Sequence, residues 1–406
     1  MIKNIALHDL PFSGMLRELI SIGLIELARN NIFESEESKL DDKVATVFEK
    51  IADQFEETFR DTFTSKIVLN DRSAYFVKSR RLVKWYGEKN IPQDYKELMI
   101  YALRGTAELL RKNRVDFLKS IQSISVGKEV ILGKEYKDSL AIVPAVVKQA
   151  EFYEYQHEFL KPTAGNKPEI LLDPIWFALM ALGFLKCFAG YYGGKYYFIT
   201  KEGAEAALDS PSQVKDIVEA IETTTSTHID LKPTPYCEEL YELRLSYGLA
   251  SRMKVISREV YPLKAYEISL VGNAYTCTKT MLLNLTESLD YFTAYINNLQ
   301  SMSEISTEVR IKDLHFDNPL HALLELGERE LRKPVEGDNS MIILTFVKDL
   351  YRAIKTKNTQ LLEETLLRLL RISHSISSAK KGVNALLRET LKHFMIEPHI
   401  RAMISI

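Results

Sequence analysis

The spacing of hydrophobic positions predicts helices along most of the chain. Apolar residues recur at i, i+3, i+4 and i+7 after Ser13 and, more clearly, over 44–59, the pattern of a helix with one buried face. Another helix is predicted from about Pro92, because proline fits the first helical turn, and a further one over 137–160. Short β-rich runs make residues 1–161 an α+β domain; they lie at 66–69, 74–77 and 130–132.

The strongest break in the pattern is Lys161 to Pro168, where two prolines bracket small, polar residues. It is predicted to be a domain linker or an exposed, functional loop. The apolar run Ile175 to Leu185 follows it and is about half as long as a bilayer span, so a buried core helix is expected. A hairpin at Gly193-Gly194 and a helix from Gly203 complete the predicted domain 162–235.

Residues 236–406 have an almost wholly helical pattern, with one strand candidate at Ala265 to Leu270. Three amphipathic helices near the C-terminus, at about 341–356, 359–374 and 377–395, are predicted to pack as an antiparallel bundle. The predicted fold class is therefore α+β and predominantly helical: an α+β N-terminal part, a winged-helix-like hairpin unit in the middle, and a C-terminal helical bundle.

Composition points to a folded protein of ordinary polarity. Of 406 residues, 46% are apolar and 27% charged, which is too apolar for disorder. The first residues lack the pattern of a signal peptide, so a cytoplasmic protein without a membrane contact is expected. The three cysteines are far apart in sequence, which favours neither a zinc site nor a disulfide framework.

The net charge of −2 conceals a strong segregation of charge. Residues 78–119 contain eleven Lys/Arg against five Asp/Glu, a net +6, and residues 352–401 contain ten against four, again +6. Residues 34–61 contain four against ten, a net −6. Two basic segments in an otherwise acidic chain favour contact with a polyanion; solvated helix faces are the alternative interpretation.

Catalytic and cofactor motifs are absent from the sequence. It has no phosphate-binding loop, dinucleotide fingerprint, H-E-x-x-H or G-x-S-x-G, so neither an enzyme nor a cofactor is expected. A hydrolase or nuclease site remains an alternative at Asp313, His315, Asp317 and His321, which could hold a metal. The same stretch also reads as a helix start, with Asp317 or Asn318 as cap and Pro319 in the first turn.

The segment KSRRLVKWYGEK at 78–89 combines cations with aromatic rings. Lys78, Arg80, Arg81 and Lys84 are candidate phosphate contacts, and Trp85 offers a flat face on which a base could stack. In the structural alternative, Trp85 lies in the core and the charges are merely solvated.

The stretch from Tyr197 to Gly203, YFITKEG, is similar to the phrase that closes the wing of winged-helix proteins. A winged-helix transcriptional regulator, a dimer that contacts duplex DNA through Lys195 and Tyr197, is therefore the second hypothesis. However, the preceding helix over 175–185 lacks the polar and basic residues of a recognition helix. A structural hairpin inside a larger assembly protein is favoured.

Taken whole, the chain resembles the large subunit of archaeal type I-A CRISPR surveillance complexes (Cascade), the Cas eight family. The resemblance rests on Leu-Pro-Phe-Ser-Gly and Leu-Ile-Glu-Leu-Ala near the N-terminus, the α+β first part, the hairpin YYGGKYYFIT and the helical C-terminal part. It implies a non-catalytic subunit that helps to recognise the target motif, contacts guide RNA and target DNA, and helps to recruit a nuclease-helicase alongside other Cascade subunits.

The resemblance also implies roles for single residues. The cations at 78–84 would hold DNA phosphates, while Asn166 and Lys167 would probe the target motif. Basic residues of the C-terminal bundle would line the path of the displaced strand; these are Arg368, Arg371, Lys380, Lys381 and Arg388.

Overall fold

A computed structural model describes most of the chain in two compact units. The first unit comprises residues up to Thr225 together with Leu263–Leu282, and the second comprises Ser226–Pro262 and the residues from Leu283 onward. The predicted division at 161/162 and 235/236 stays a prediction. The described residues are 10, 12–62, 81–87, 92, 94–127, 129–136, 139–148, 170–233, 237–252, 260–272, 274–302, 308–311, 314–332, 338–378, 390 and 397–404.

The first unit combines helices with two small sheets. Its helices are α1 Met15–Arg29, α2 Leu40–Thr62, α3 Arg81–Tyr86, α4 Tyr95–Arg111, α5 Phe117–Ile121, α6 Ala145–Lys148, α7 Pro174–Cys187 and α8 Pro211–Leu231, which continues past Thr225. One sheet has the order β1-β2-β4-β3, formed by Ile124–Val126, Val130–Leu132, Ile170–Leu172 and Ala141–Ile142. The other has the order β5-β6-β7-β8, formed by Phe188–Tyr192, Lys195–Thr200, Leu263–Val271 and Ala274–Leu283. The predicted class, predominantly helical α+β, is confirmed.

The helix predicted over 137–160 is wrong in its first part. Ala141 and Ile142 instead form β3 and pair with Leu172 and Leu171 of β4. Pro144 follows after Val143, and a residue before proline avoids the helical conformation. The helix therefore begins only at residue 145, and residues 149–160 lie outside the described part of the chain.

Helix α7 is the central core helix of the first unit, as its apolar run predicted. Every residue of α7 except Lys186 is buried. It crosses α1 so closely that a Cβ atom added to Gly183 would overlap the carbonyl oxygen of Leu19, and one added to Gly23 would overlap that of Leu179. In the described part of the chain, no helix has the length and apolarity needed to cross a membrane.

The predicted Gly193-Gly194 hairpin exists, but its second strand is an interior strand. Gly193 and Gly194 both have positive φ, as a tight two-residue hairpin turn requires. Strand β6 then pairs with β5 on one side and with β7 on the other. The hairpin is thus one half of a four-stranded sheet rather than a free two-stranded wing.

The second unit is mainly helical. Its helices are α9 Glu238–Ser251, α10 Thr286–Ser301, α11 Pro319–Leu331, α12 Asp338–Lys355, α13 Thr359–Ser378 and α14 Glu397–Ile404, with a strand pair β9 Val309–Ile311 and β10 Leu314–Phe316. Arg368 of α13 pairs with Asp349 of α12, which fits two antiparallel helices joined by a short turn. The third helix predicted for the bundle, 377–395, lies largely outside the described residues, so the complete bundle stays a prediction.

Candidate functional site

The basic segment around α3 separates into an exposed and a buried part. Lys84 of α3 is exposed, whereas only 3% of Trp85 is accessible. Arg81 is the first residue of α3. Lys78 and Arg80 lie outside the described residues. Lys84, a candidate phosphate contact, and Trp85, the candidate stacking ring, are therefore adjacent in sequence, but the first is exposed and the second is buried.

Trp85 anchors α3 to the core of the first unit. Its indole Nε1 donates a hydrogen bond to the carbonyl oxygen of Ser139 at 3.1 Å, and its ring meets Phe177 of α7 edge-on at 6.1 Å between centroids. The next residue, Tyr86, lies with its hydroxyl 2.9 Å from that of Thr106 on α4. This is the arrangement of the structural alternative, in which Trp85 holds the helix and Lys84 faces solvent.

The candidate wing residues interact within their own sheet. The Nζ of Lys195 lies 2.6 Å from Oε1 of the buried Glu267 on β7. Tyr197 is buried, and its hydroxyl lies 3.4 Å from the other carboxylate oxygen of Glu267. These contacts tie β6 to β7 and occupy the two side chains that the winged-helix hypothesis directs toward DNA.

The structure describes only some of the other residues for which the resemblance implies a nucleic-acid contact. Arg371 is exposed on α13, and Arg368, one turn before it, is paired with Asp349. Asn166, Lys167, Lys380, Lys381 and Arg388 lie outside the described residues.

The stretch that contains the candidate metal ligands is a helix start. The Asn318 side chain accepts a hydrogen bond from the backbone N–H of His321 at 2.9 Å, and Pro319 is the first residue of α11, as the capping interpretation predicted. His321 pairs with Asp317 at 3.2 Å, while His315 pairs with Glu308 at 3.1 Å. Asp313 is not described, and the described residues contain no group of three or more potential ligands that could hold a metal ion.

Asn318 also links two tyrosines, so its removal has a predictable cost. Its Nδ2 donates to the Tyr247 hydroxyl at 2.6 Å, and its Oδ1 lies 3.4 Å from the Tyr295 hydroxyl. We expect Asn318→Ala to lower the free energy of unfolding by about 2 kcal/mol, since it removes a helix cap and the hydrogen bond donated to the buried Tyr247 hydroxyl. Asn318→Asp keeps the cap and should lose less; equal melting of the two variants would contradict this role.

A polar cleft in the first unit is the site that the sequence did not predict. It has a volume of about 380 Å³ and is lined by residues of four separate stretches: Asp41, Asn113, Arg114, Val115, Asp116, Lys119, Ser120, Lys134, Glu135, Tyr136 and Asp173. Burial raises the pKa of Asp173 to about 6, although four donors point at its carboxylate, and burial also raises the pKa of Asp41. Lys119 pairs with Asp116 at 2.7 Å.

The carboxylate of Asp173 at the cleft has a structural role. Oδ1 of Asp173 accepts the backbone N–H groups of Ile175 and Trp176, and Oδ2 accepts Ser120 Oγ–H and the N–H of Lys134, at 2.5 to 3.0 Å. Asp173 is thus the cap of α7 and the support of the β2–α5 region. No histidine is among the described residues that line the cleft beside Ser120.

A family model described as "CRISPR-associated protein (Cas_Csx9)" matches residues 30–404 of the chain. The match extends over both compact units, apart from α1 and the residues before it, and includes more than nine-tenths of the sequence. Comparisons with curated proteins and with solved structures gave no match.

Proposed function

The chain belongs to this family of CRISPR-associated proteins, and on that premise we propose that it is a non-catalytic, nucleic-acid-binding large subunit of a CRISPR antiviral ribonucleoprotein. The finer proposal is a type I-A, archaeal, cytoplasmic Cascade complex. In it the chain would help to recognise the target motif, contact guide RNA and target DNA, and help to recruit a nuclease-helicase. The family match over almost the whole chain is the observation that carries the proposal.

The geometry of α3 supports a phosphate-binding role for the segment 78–84. A lysine on a rigid support loses less conformational entropy on binding than one on a loose loop, and α3 is fixed by the buried Trp85 and the half-buried Tyr86. Lys84 therefore projects into solvent from a firmly held helix. Together with Lys78, Arg80 and Arg81 it would neutralise DNA phosphates, and Trp85 would act by positioning this helix rather than by stacking on a base.

The C-terminal basic segment supports a second contact. Arg371 is exposed on α13, and residues 352–401 have a net charge of +6. A basic surface on the second unit would track the backbone of a displaced strand, with Lys380 and Lys381 as further contacts. We assign motif recognition to Asn166 and Lys167, as the resemblance to large subunits implies.

Two of the described histidines, His228 and His321, fit a subunit without catalysis of its own. Burial lowers the pKa of His228 to about 3, and its Nδ1 lies 2.9 Å from the Tyr241 hydroxyl. Burial likewise lowers the pKa of His321, which stacks on Tyr247. Both rings are neutral structural groups at pH 7, which does not suit a general acid.

The test is target binding by the assembled complex after charge reversal of the basic segment. We expect the triple change Arg80→Glu, Arg81→Glu and Lys84→Glu to weaken target-DNA binding about tenfold or more, and to reduce the slope of log affinity against log salt by about 3, one for each lost phosphate contact. Filter binding or fluorescence anisotropy between 50 and 300 mM salt measures both.

A matched control is available in the acidic segment. Lys39→Glu, Lys43→Glu and Lys50→Glu make the same charge change at three exposed lysines of the first unit and should leave affinity within about twofold, since only general charge repulsion acts. If the two triple variants bind alike, the basic segment is not the contact. A lone, symmetric dimer that binds duplex DNA without RNA would instead favour the winged-helix regulator.

A further inference from the structure

The polar cleft beside Asp173 has a lining that hydrogen bonds hold in place. The backbone N–H of Lys134 donates to Oδ2 of Asp173 at 2.9 Å, and the preceding Gly133, with a φ of 90°, lies so close to this carboxylate that an added Cβ would overlap it. The N–H of Arg114 donates to the carbonyl oxygen of Leu109 at 2.9 Å, which closes the end of α4. Lys134 and Arg114 therefore extend from a fixed backbone, so a ligand would have to order only their side chains.

Arg114 and Lys134 are cations of the cleft that have no acidic partner. Both side chains are exposed, and neither forms an ion pair with any described residue. The third cation of the lining, Lys119, is already paired with Asp116 at 2.7 Å. A guanidinium and an ammonium that line one cavity are groups that proteins use to hold a phosphate.

The arginines of helix α4 lack this freedom because the acidic helix α2 neutralises them. Arg104 contacts Glu56 at 2.5 Å, and Arg111 pairs with Glu49. A phosphate that approached either arginine would compete with a carboxylate already in place. Within the basic segment 78–119, Arg114 is therefore better suited than these two arginines to receive a phosphate.

Two carboxylates of the lining can accept hydrogen bonds from a ligand. Oδ1 of Asp41 accepts the N–H of Phe117 at 3.0 Å, and its other oxygen has no hydrogen-bond partner among the described residues. Glu135 is exposed beside Lys134, and no described residue pairs with it. Two such carboxylates repel a bare phosphate, but they favour a ligand that has donors next to its phosphate. Ribose hydroxyls are donors of this kind, and Asp or Glu commonly accepts them.

We propose that the polar cleft binds a single ribonucleotide unit. Arg114 and Lys134 hold its phosphate. Asp41 and Glu135 accept hydrogen bonds from its ribose, and the half-buried Tyr136 provides a ring for its base. The volume of about 380 Å³ is at the small end of the range for ligand pockets, about 300–1,000 Å³, which suits one nucleotide rather than a duplex. Two sources share this chemistry, a free ribonucleotide and an unpaired nucleotide of an RNA strand, and the inference rests on the proposed function only for the second.

Equilibrium dialysis of the full chain against labelled AMP, GMP, CMP and UMP tests the cleft directly. We expect at least one of them to bind about tenfold more tightly than its 2′-deoxy counterpart, because the deoxynucleotide leaves a charged acceptor without its donor. Inorganic phosphate should bind more weakly still. No binding of any ribonucleotide up to about 5 mM, equal binding of the deoxynucleotides, or equal binding of inorganic phosphate would overturn the proposal.

Charge reversal tests whether the cleft is the place of binding. Arg114→Glu with Lys134→Glu should weaken the binding of the ribonucleotide at least about tenfold. Lys50→Glu with Lys112→Glu makes two charge reversals at exposed lysines outside the cleft and should leave the affinity within about twofold. Equal losses in the two double variants would refute the site.

A neutral variant of Glu135 tests the contact with the ribose. Glu135 is exposed and pairs with no described residue, so Glu135→Gln should not change the stability of the fold. It should reduce the preference for the ribonucleotide over its 2′-deoxy counterpart by about threefold or more, since it removes a charged acceptor, without weakening the deoxynucleotide. An unchanged preference would refute the ribose contact at Glu135.

The assembled complex separates the two sources of the ribonucleotide. If an unpaired nucleotide of the guide RNA occupies the cleft, the complex should no longer bind the free ribonucleotide, and ultraviolet light should crosslink the RNA to Tyr136. If the ligand is a free ribonucleotide, the complex should bind it as the isolated chain does. Both results support the cleft. Failure of the proposed function is a different result, namely an assembled complex that contains this chain and binds no nucleic acid.

Discussion

Replacing Gly183 with alanine is expected to cost the first unit about 3 kcal/mol of unfolding free energy. The added methyl would overlap the backbone carbonyl of Leu19, and a carbonyl fixed within α1 cannot rotate away as a side chain would. The two helices must separate instead, which loosens the contact between the core helix α7 and α1. Overpacking of a rigid core costs about 1–3 kcal/mol, and a backbone obstacle belongs at the upper end.

Urea unfolding followed by tryptophan fluorescence measures this loss selectively. The chain has two tryptophans, and Trp85 and Trp176 are both buried in the first unit. Gly127→Ala is the matched control, because its methyl would come no closer than 4.0 Å to another atom, the carbonyl oxygen of Glu129; it should stay within about 0.5 kcal/mol of the unmodified protein. A midpoint for Gly183→Ala equal to that of the control would contradict the close crossing.

The same crossing predicts that Gly23 and Gly183 are coupled. Alanine at Gly23 would overlap the carbonyl of Leu179, so either substitution alone forces α1 and α7 apart. Once they have separated, the second methyl meets less obstruction. The double variant should therefore lose clearly less than the sum of the two single losses, by an interaction energy of about 1 kcal/mol or more.

Local patterns in the sequence were sufficient for the elements that depend on local chemistry. Helix α7 could be predicted because an apolar run lies between Asp173 and Lys186, and α11 because Asn318 and Pro319 form a cap and a first turn. The 137–160 prediction failed at its start because Pro144 disfavours the helical conformation in the residue before it, and Ala141 and Ile142 pair with β4 instead. Periodicity predicts the presence of an element better than its boundary.

The pairing of strands that are distant in sequence could not be predicted. Strand β8 reads Ala-Tyr-Thr-Cys-Thr-Lys-Thr and lies in sequence between two helices of the second unit, yet the hairpin of β7 and β8 completes a sheet of the first unit. No neighbouring residue encodes that β7 will pair with β6, more than sixty residues earlier. The interior position of β6 depends on this pairing, so it could not be predicted from the hairpin at Gly193-Gly194 alone.

The environment of the candidate nucleic-acid segment could be predicted only in part, for a similar reason. Spacing showed cations beside an aromatic pair, but it could not tell whether Trp85 faces a base or the core. The decision depends on Ser139 and Phe177, which are distant in sequence and meet Trp85 only in the folded unit. The polar cleft was missed altogether because its lining is drawn from four stretches between Asp41 and Asp173.

Removing the carboxylate of Asp173 is expected to cost about 4 kcal/mol. Asp173→Ala takes away the cap of α7 and leaves the N–H groups of Ile175, Trp176 and Lys134 without their acceptor in a buried site, and each unpaired buried donor costs about 1–3 kcal/mol. Asp173→Asn keeps an oxygen for Ile175 and Trp176 but turns an NH₂ group toward Lys134. It should lose roughly half as much, and equal losses for the two variants would contradict the assigned hydrogen bonds.

The raised pKa of Asp173 should make the stability of the unmodified protein depend on pH differently from that of the Asp173→Asn variant. Burial raises the pKa to about 6 in the folded protein, against about 3.9 for an unfolded aspartate. Between these values the folded state holds a proton that the unfolded state has released, so the contribution of Asp173 to stability is complete below about pH 4 and declines as the pH rises through 6. The decline totals about 3 kcal/mol.

Asparagine at position 173 cannot titrate, so the Asp173→Asn variant should lack this decline while keeping every other titrating group. The stability of the unmodified protein relative to the variant should therefore fall by about 3 kcal/mol between pH 4 and pH 7, as read from urea unfolding by tryptophan fluorescence at four pH values. The direction of the change is diagnostic. If the four donors stabilised the carboxylate by more than burial destabilises it, the pKa of Asp173 would be depressed, and the stability advantage of aspartate over asparagine would grow with pH instead. Stability curves that run parallel for the two proteins would mean that Asp173 has the same pKa folded and unfolded, and that its hydrogen bonds and its burial cancel.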